Sequence, residues 1–413
     1  MPCVELLLGV AALAAPAAGD GAVEPPALHE SGLESGLRVL VATPQGAAAP
    51  SAVAAEFVLA VGWANDETGP GRDLALRMAE FVTKAPEGEA HWQADVRPST
   101  THFRGEFQVD GLEAELATLS KWLTADGVDE ARFNEVMQAH RAPAADAFDR
   151  FREAAWPTSR LGGRAGQGGQ GGSSSGAAPT RDAFKEFLAQ RCGCEGALLV
   201  LVGGRPAALE LMAGRAFSGL PRARGVAPAE SLEPFPSRPR LVAAPPGVQQ
   251  RLIGFRLAWQ EDPHGDARAF ARAWLEELAG RPAARFEETP QGALLAFAAS
   301  DMASEQSLRD ALVAGAEQLA TGRPLSDAGF RLALDRLDLR LAEATATPAA
   351  LARLLAEEAT ATQEPLAPFE RRRRLEREGA EAAARRLRTA LLPAGRIEVA
   401  PPPAPEPRAT EGT

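Results

Sequence analysis

Phe57-Val-Leu-Ala-Val-Gly-Trp-Ala-Asn-Asp-Glu67 is the stretch that decides the fold of this chain. It begins as an apolar β-like run and ends in an acidic turn, and apolar residues at helical spacing follow over Gly71–Val82. A shorter β-like run precedes it in Leu33-Glu-Ser-Gly-Leu-Arg-Val-Leu-Val-Ala42. We therefore predict the order strand, strand, helix for the first part of the chain.

Further elements follow in a regular order. The first part continues with a strand at Thr101–Val109 and helices at Leu112–Leu123 and Asp129–Trp156, the last kinked or broken at Pro143. A helix, a strand and a helix are then predicted at Arg181–Gln190, Ala197–Val202 and Arg205–Phe217. The later part has predicted strands near Leu241–Ala244, Arg251–Ala258 and Ala293–Ser300, and helices at Asp266–Ala279, Ser304–Thr321 and Ser326–Ala344.

The two parts share landmark residues. Trp63-x-x-Asp66 reappears as Trp259-x-x-Asp262 at an offset of 196 residues. Further pairs recur at nearly that spacing, namely Phe107 with Phe297, Asp110 with Asp301, and Phe133 with Phe330. Matches in the same order indicate a tandem duplication. We predict an α+β fold of two homologous domains, each a mostly antiparallel sheet with helices packed on one face.

The length and the proline distribution suggest where the domains lie. A chain of 413 residues suits two domains of roughly 150–200 residues each. Five prolines in residues 220–240 oppose regular structure, so this segment is the predicted linker. The predicted organisation is a signal segment over 1–22, an N-terminal domain over 28–219, the linker, a C-terminal domain over 241–400, and a disordered tail over 401–413.

The first residues resemble an export signal. Leu6–Ala18 is a short apolar run, and Ala15 and Ala17 form an Ala-x-Ala cleavage pattern. Glu5 opposes this interpretation, because a signal peptide normally begins with positive charge. We expect an exported protein, periplasmic or associated with the cell envelope. No other stretch approaches the ~20 apolar residues that cross a bilayer, so we expect no transmembrane segment in the mature chain.

Charge and cysteine content bear on other classes of function. The net charge is −11, so the chain lacks the positive field that holds nucleic acid. The basic run Arg371–Arg374 lies among glutamates in a helical pattern, which favours a solvated helix face. Cys192 and Cys194 favour structural or incidental roles, because a disulfide across one intervening residue is strained and two thiols alone make a poor zinc site. The tract Gly162–Gly176 is typical of a flexible surface loop.

The opening strands, the Trp-x-x-Asp turn and the helix after it resemble the start of the insulinase/pitrilysin-type zinc peptidases, including those related to the mitochondrial processing peptidase. The resemblance covers roughly residues 28–400. It implies duplicated α+β domains, as the internal repeat also indicates. Members of this length work as two-subunit clamshells that cleave extended peptides inside a closed chamber.

The resemblance also locates the zinc motif of the family. There, His-x-x-Glu-His lies on the helix after the turn; the two His bind zinc and the Glu is the general base. Carried onto this sequence from Gly71, the ligand positions hold Leu74 and Met78, and the base position holds Arg77. Leu has no lone pair, Met offers a weak thioether, and Arg stays protonated. No shift of register restores the motif, because residues 30–90 contain no histidine.

The third zinc ligand of the family is a Glu on a later helix, and its position falls at or next to His140. Glu135 lies about one turn too early. Some relatives grip substrate through an Arg-Tyr pair in the second domain, but this chain contains no tyrosine. We therefore predict no catalytic, metal or cofactor residues, and take Leu74, Arg77, Met78 and His140 as the degenerate site.

Together these observations favour a non-catalytic homologue, a helper subunit that completes the substrate chamber of a zinc-bearing homologous partner acting on peptides or unfolded polypeptides. Two alternatives stay open. One is a structural or binding protein of the cell envelope, as in relatives that form core subunits of a respiratory complex. The other is an active metallopeptidase with atypical ligands. A neighbouring gene for an intact homologue would argue against the first alternative, and metal analysis would decide the second.

Overall fold

The computed structural model describes residues 23–44, 51–65, 74–84, 92–139, 146–157, 179–222, 235–257, 262–289, 292–322 and 325–401. These ranges contain eleven α-helices and eleven strands, and the strands form two sheets. The predicted signal segment, the glycine-rich tract, residues 223–234 of the predicted linker, residues 402–413 of the predicted tail and His140 lie outside the described residues. None of the described helices is long and apolar enough to cross a membrane.

The first half of the chain builds one sheet and the helices beside it. Its strands are β1 Ala27–Gly32, β2 Arg38–Thr43, β3 Ala52–Leu59, β4 Gln93–Val96, β5 Thr101–Gln108 and β6 Leu198–Val202. Its helices are α1 Leu74–Thr83, α2 Val109–Trp122, α3 Glu130–Ala139, α4 Ala147–Ala155, α5 Arg181–Arg191 and α6 Pro206–Ala216. The strand order is β1-β2-β6-β3-β5-β4, and only β2 and β6 pair in parallel.

The second half builds the other sheet. Its strands are β7 Arg240–Ala243, β8 Arg251–Leu257, β9 Arg285–Thr289, β10 Gly292–Ala299 and β11 Arg396–Ala400. Its helices are α7 Asp266–Ala279, α8 Met302–Ala320, α9 Asp327–Thr345, α10 Pro348–Thr362 and α11 Ala367–Ala390. The strand order is β7-β11-β8-β10-β9, with β7 and β11 as the parallel pair.

The two sheets repeat one topology, which confirms the α+β class and the duplication. Strands β2, β6, β3, β5 and β4 correspond in order to β7, β11, β8, β10 and β9. The landmark Phe107 faces Val53 across β5 and β3, and Phe297 faces Ile253 across β10 and β8. Both rings are buried in the core of their own half. Each sheet is mostly antiparallel, as predicted, with one parallel pair.

Each sheet is covered on its second face by a helix from the other half. Leu355 on α10 shares a buried cluster with Val58 and Val200 of the first sheet. Phe151 on α4 shares a cluster with Leu252 and other side chains of the second sheet. The predicted arrangement, with helices on one face only, was therefore incomplete. Apolar periodicity identifies the face that a helix buries, but it does not identify the sheet that the helix covers.

Several helices begin where acidic residues bind their first backbone amides. Asp146 before α4 and Asp301 before α8 accept hydrogen bonds from the amides three residues on, at 2.8 and 2.7 Å. Asp262, the acidic residue of the second Trp-x-x-Asp turn, accepts bonds from the amides of Ala267 and Arg268 at 3.3 and 3.1 Å. The landmark turn thus fixes the start of α7.

Most of the predicted elements are confirmed to within a few residues, and the differences have physical causes. The helix predicted over Asp129–Trp156, kinked or broken at Pro143, is two helices, α3 and α4, on either side of that proline. The elements β1, β4, β9, β11 and α10 were not predicted, and α11 was indicated only by the helical pattern around the basic run. The interpretation of the basic run as a solvated face was wrong in part, because Arg371 and Arg374 bind the buried carboxylate of Asp266 at 3.3 and 2.6 Å.

Candidate functional site

Helix α1 packs its apolar face into the core of the first half. Met78 is 0% exposed, and its Sδ lies 3.1 Å from the Sγ of Cys192, which is also 0% exposed. Leu74, at the start of the helix, is partly buried and packs against the same core. The two positions that the resemblance assigns to zinc-binding histidines therefore hold side chains that are part of the hydrophobic packing.

Arg77 connects α1 to α3, the helix that precedes the position assigned to the third ligand. Its Nη1 lies 3.1 Å from the Sδ of Met137, which is a weak acceptor. Helix α3 ends at Ala139, directly before His140, and His140 itself lies outside the described residues. The structure thus brings together the two helices that the family motif pairs. The contact between them is formed by Arg77 of α1 and the Met137 thioether of α3.

A zinc ion does not fit this set of side chains. Zinc sites use Cys, His, Asp or Glu ligands at about 2.0–2.3 Å. The Met78 thioether is a poor substitute, and its sulfur already contacts the Cys192 thiol inside the core. Arg77 places a positive charge at the position that the resemblance assigns to the general base, and a guanidinium does not accept a proton near neutral pH. Within the described part of the chain, no group of three or more His, Cys, Asp or Glu side chains is placed to hold a metal.

A second arginine also connects α3 to α1. The Arg132 guanidinium on α3 lies 4.5 Å from the ring centroid of Phe81 and 4.0 Å from that of Trp122. It also donates a hydrogen bond to the backbone carbonyl of Phe81 on α1. Arg132 is buried, so these contacts act in a desolvated environment where cation–π attraction is strong. No sequence signal distinguished this arginine, because it stands in an ordinary charged stretch before the helix core.

A buried polar pair lies on the other face of the first sheet, beneath α10. The Nδ1 of His102 is 2.8 Å from the Oε1 of Glu56, and both side chains are 1% exposed. The Nε2 of His102 is 3.2 Å from the Thr100 hydroxyl. Burial lowers the pKa of His102, a change that the hydrogen bond to Glu56 opposes and the positive charge of Arg97 reinforces. Histidine patterns in the sequence did not indicate this pair, since Glu56 lies on another strand.

Ion pairs connect α10 and α4, the helices that cover the sheet of the other half, to the edges of the two sheets at β4 and β9. Arg97, beside β4, places its Nη2 2.6 Å from a carboxylate oxygen of Glu357 on α10. Arg152 on α4 binds both carboxylate oxygens of Glu287 on β9 at 2.8 Å. Burial alone would raise the pKa of Glu357, but Arg97 and Arg353 hold it at about 2. Both contacts join one half of the chain to the other.

The fold of this chain is similar to that of several solved structures, although its sequence has no recognised relative. No protein-family model matches the sequence, and no curated protein is significantly similar to it. A solved inactive domain of an M16 peptidase from Pseudomonas fluorescens is similar in structure, with a TM-score of 0.66 and 16% identity over 92% of this chain and 99% of that one. A putative M16-like peptidase from Alicyclobacillus acidocaldarius gives a TM-score of 0.67 and 14% identity over 92% of this chain and 100% of that one.

A longer protein is also similar. The periplasmic protease PqqL from Escherichia coli gives a TM-score of 0.60 and 16% identity over 92% of this chain, but over only 46% of PqqL. This chain therefore has the fold of the insulinase-type, or M16, peptidases, which confirms at the level of fold the resemblance that the sequence indicated. The match extends over the whole of the Alicyclobacillus acidocaldarius protein and over about half of PqqL.

Proposed function

We propose that this chain is a non-catalytic homologue of the M16 peptidases, a helper subunit that completes the substrate chamber of a zinc-bearing homologous partner. The observation that carries the proposal is the packing of Met78 against Cys192, with their sulfur atoms 3.1 Å apart. This contact lies in the core, and it supports the proposal because the resemblance assigns position 78 to a zinc ligand. The chain contributes chamber walls and substrate contacts, and the partner supplies the chemistry.

The proposed lack of catalysis rests on side-chain chemistry. Leu74 and Met78 do not replace two imidazoles, and Arg77 does not replace a base that activates water. A catalytic zinc also keeps an open position for water or substrate. The side chains of Met78 and Arg77 fill the space beside α1, where they contact Cys192 and Met137. The similarity to an M16 domain described as inactive supports the same conclusion.

The proposed pairing with a second subunit rests on the length of this chain compared with that of PqqL. PqqL holds in one chain about twice the length that this chain matches, so a second unit of the same fold would complete a comparable assembly. We expect that unit to carry an intact His-x-x-Glu-His motif and to act on extended peptides. A permanent pairing of this kind normally buries more than about 2,000 Å² and uses apolar patches. Exported localisation is part of the proposal, supported by the apolar run Leu6–Ala18 and the periplasmic location of PqqL.

Co-expression with an intact homologue from the same genome tests the proposal. We expect a 1:1 complex by size-exclusion chromatography with light scattering, and peptide cleavage above that of the partner alone. The matched control is the same complex with the partner's motif Glu changed to Gln, which should assemble and lack activity. A chain that stays monomeric at micromolar concentration and leaves the partner's activity unchanged would contradict the helper role.

Two other results would replace the proposal with one of its alternatives. A stable 1:1 complex that leaves the partner's peptidase rate unchanged would support a structural role in the envelope. One equivalent of zinc in the chain purified alone, with cleavage that a chelator abolishes, would support an active peptidase with atypical ligands.

A further inference from the structure

The two halves of the chain cover each other's sheets in the same way. Helix α10 of the second half packs on β3 and β6 of the first sheet, and helix α4 of the first half packs on β8 and β11 of the second. These two strand pairs occupy corresponding places in the order of their sheets. Along the chain, α4 lies between β5 and β6, and α10 lies between β10 and β11. We call α4 and α10 the crossing helices, because each half contributes one and receives one.

The contact of each crossing helix with its sheet is apolar. Leu355 on α10 is 0% exposed and lies in one buried cluster with Val58 and Val200 of the first sheet. Phe151 on α4 is 0% exposed and lies in another buried cluster with Leu252 of the second sheet. Separation of the halves would expose these side chains to water, at a cost that grows with the apolar area exposed. Apolar burial therefore favours the paired state of the two halves.

Polar contacts from the first half hold α10 near β4 and near β2. The Nη2 of Arg97, beside β4, lies 2.6 Å from a carboxylate oxygen of Glu357 on α10. Arg38, the first residue of β2, donates to the side-chain oxygen and to the backbone carbonyl of Gln363 at 3.0 and 3.3 Å. Gln363 directly follows α10 and has a φ of 64°, a left-handed conformation that is uncommon for residues other than glycine. The first half thus binds both α10 and the residue that ends it.

The second half supplies hydrogen-bond donors to the end of α4. The last carbonyls of a helix have no partner within the helix and need donors from elsewhere. The carbonyl of Ala155, the last residue of α4, accepts a hydrogen bond from the Nη1 of Arg256 on β8 at 2.9 Å. The carbonyl of Ala154 accepts a hydrogen bond from Arg240, the first residue of β7. The second half therefore completes α4 as well as packing against it.

We propose that the two halves bind each other as complementary partners through the crossing helices, and that this binding does not require the peptide connection between them. The first sheet is a docking surface for α10, and the second sheet is a docking surface for α4. The connection raises the local concentration of one half around the other, and the crossing helices supply the affinity. The chain then stays assembled when it is cleaved between its halves. This property is independent of the helper role.

Cleavage of the folded full-length chain tests the proposal. A recognition sequence for a site-specific protease is placed within residues 223–234, and the purified chain is cut after it has folded. We expect the two fragments to elute as one species with the mass of the uncut chain, in size-exclusion chromatography with light scattering at micromolar concentration. The urea midpoint of the cut chain should rise with protein concentration, because its fragments dissociate on unfolding, whereas that of the uncut chain should stay constant. Fragments that elute separately would overturn the proposal.

One substitution in each crossing helix locates the binding. Leu355→Ala on α10 and Phe151→Ala on α4 shorten buried side chains, whereas the control Leu332→Ala shortens a leucine on α9 that is 53% exposed. In the cut chain we expect each buried substitution to raise the concentration at which the fragments dissociate by at least about tenfold, and the control to change it by less than about twofold. If either buried substitution leaves this concentration unchanged, the binding does not depend on both crossing helices and the proposal is wrong.

A polar substitution tests the same binding if a core variant fails to fold before cutting. Arg38→Ala removes the hydrogen bonds to Gln363 and leaves the apolar contact of α10 in place. We expect the fragments of this variant to dissociate at a concentration at least about threefold higher than those of the natural cut chain. Circular dichroism of the uncut variant checks that it is folded. An unchanged dissociation concentration in the folded variant would contradict the assignment of Gln363 to the binding surface.

Discussion

The sulfur of Met78 lies 3.1 Å from the thiol of Cys192, and neither side chain has exposed surface. The two residues are 114 positions apart in sequence, so this contact joins α1 to the end of α5. It makes position 78 a core position. The family resemblance assigns this position to a zinc ligand, but here the side chain is part of the packing of α1.

Restoring the motif should not restore a zinc site. We expect the triple variant Leu74→His, Arg77→Glu, Met78→His to bind less than one equivalent of zinc and to unfold at lower temperature than the natural chain. An imidazole at position 78 would be buried against the Cys192 thiol in the hydrophobic core, where burying its polar nitrogens costs free energy. Metal analysis and a thermal melt measure both effects.

The matched control for that variant is Met78→Leu, which keeps the volume of the side chain and should cost less than about 1.5 kcal/mol. Stoichiometric zinc with peptide cleavage in the triple variant would contradict the expectation and would show that α1 still lines an open cleft.

The sequence predicted the elements that have strong local periodicity, but not the contacts between distant segments. The strand, turn and helix around Trp63 were recognised because the apolar spacing and the turn residues lie within one short stretch. The assignment of Met78 to a ligand position of the family motif rests on the same local stretch and stays a prediction. The contact of Met78 with Cys192 was not recognised, because no local pattern records which residues meet across a core. Arg371 was assigned to solvent for the same reason, since its partner Asp266 is distant in sequence.

Arg132 should make a large contribution to the stability of the first half. Arg132→Ala removes a guanidinium that lies over Phe81 and Trp122 and a hydrogen bond to a buried carbonyl, so we expect a loss of about 2–3 kcal/mol in the free energy of unfolding. Arg132→Lys should recover less than half of this, because lysine lacks the planar group that stacks on rings. Glu135→Ala, exposed on the same helix, serves as the control and should change stability by less than about 0.5 kcal/mol.

Urea unfolding of these three variants gives the free energies directly. If Arg132→Ala had the same free energy of unfolding as Glu135→Ala, the contacts of the guanidinium with the rings and the carbonyl would not stabilise the fold.

The buried pair His102 and Glu56 predicts how stability depends on pH. Burial keeps the pKa of His102 in the folded chain below 6.5, the value expected when the chain is unfolded. Below about pH 6.5 the unfolded chain therefore takes up a proton that the folded chain refuses. The free energy of unfolding should be highest above this pH and should fall as the pH decreases through it. Urea titrations at a series of pH values measure the slope.

His102→Gln should remove that part of the slope, because glutamine does not titrate in this range. His29→Gln, which replaces a half-exposed imidazole, is the matched control and should keep the slope of the natural chain. Identical slopes in the natural chain and in His102→Gln would show that another group causes the pH dependence.

Because α10 and α4 each pack on the sheet of the other half, we expect a destabilising substitution in one half to destabilise the other half as well. Leu355 belongs to α10 of the second half, yet its 0% exposed side chain packs against the first sheet. We expect Leu355→Asp to cost roughly 3–5 kcal/mol, since it buries an unpaired carboxylate and removes apolar contacts. Because α10 contacts β3 and β6, hydrogen exchange should increase more in the amides of these strands than in those of β8 and β10. Leu332→Asp, at a leucine on α9 that is 53% exposed, should leave exchange in both sheets nearly unchanged. Increased exchange confined to the second sheet in Leu355→Asp would mean that α10 stabilises its own half and that the halves fold independently.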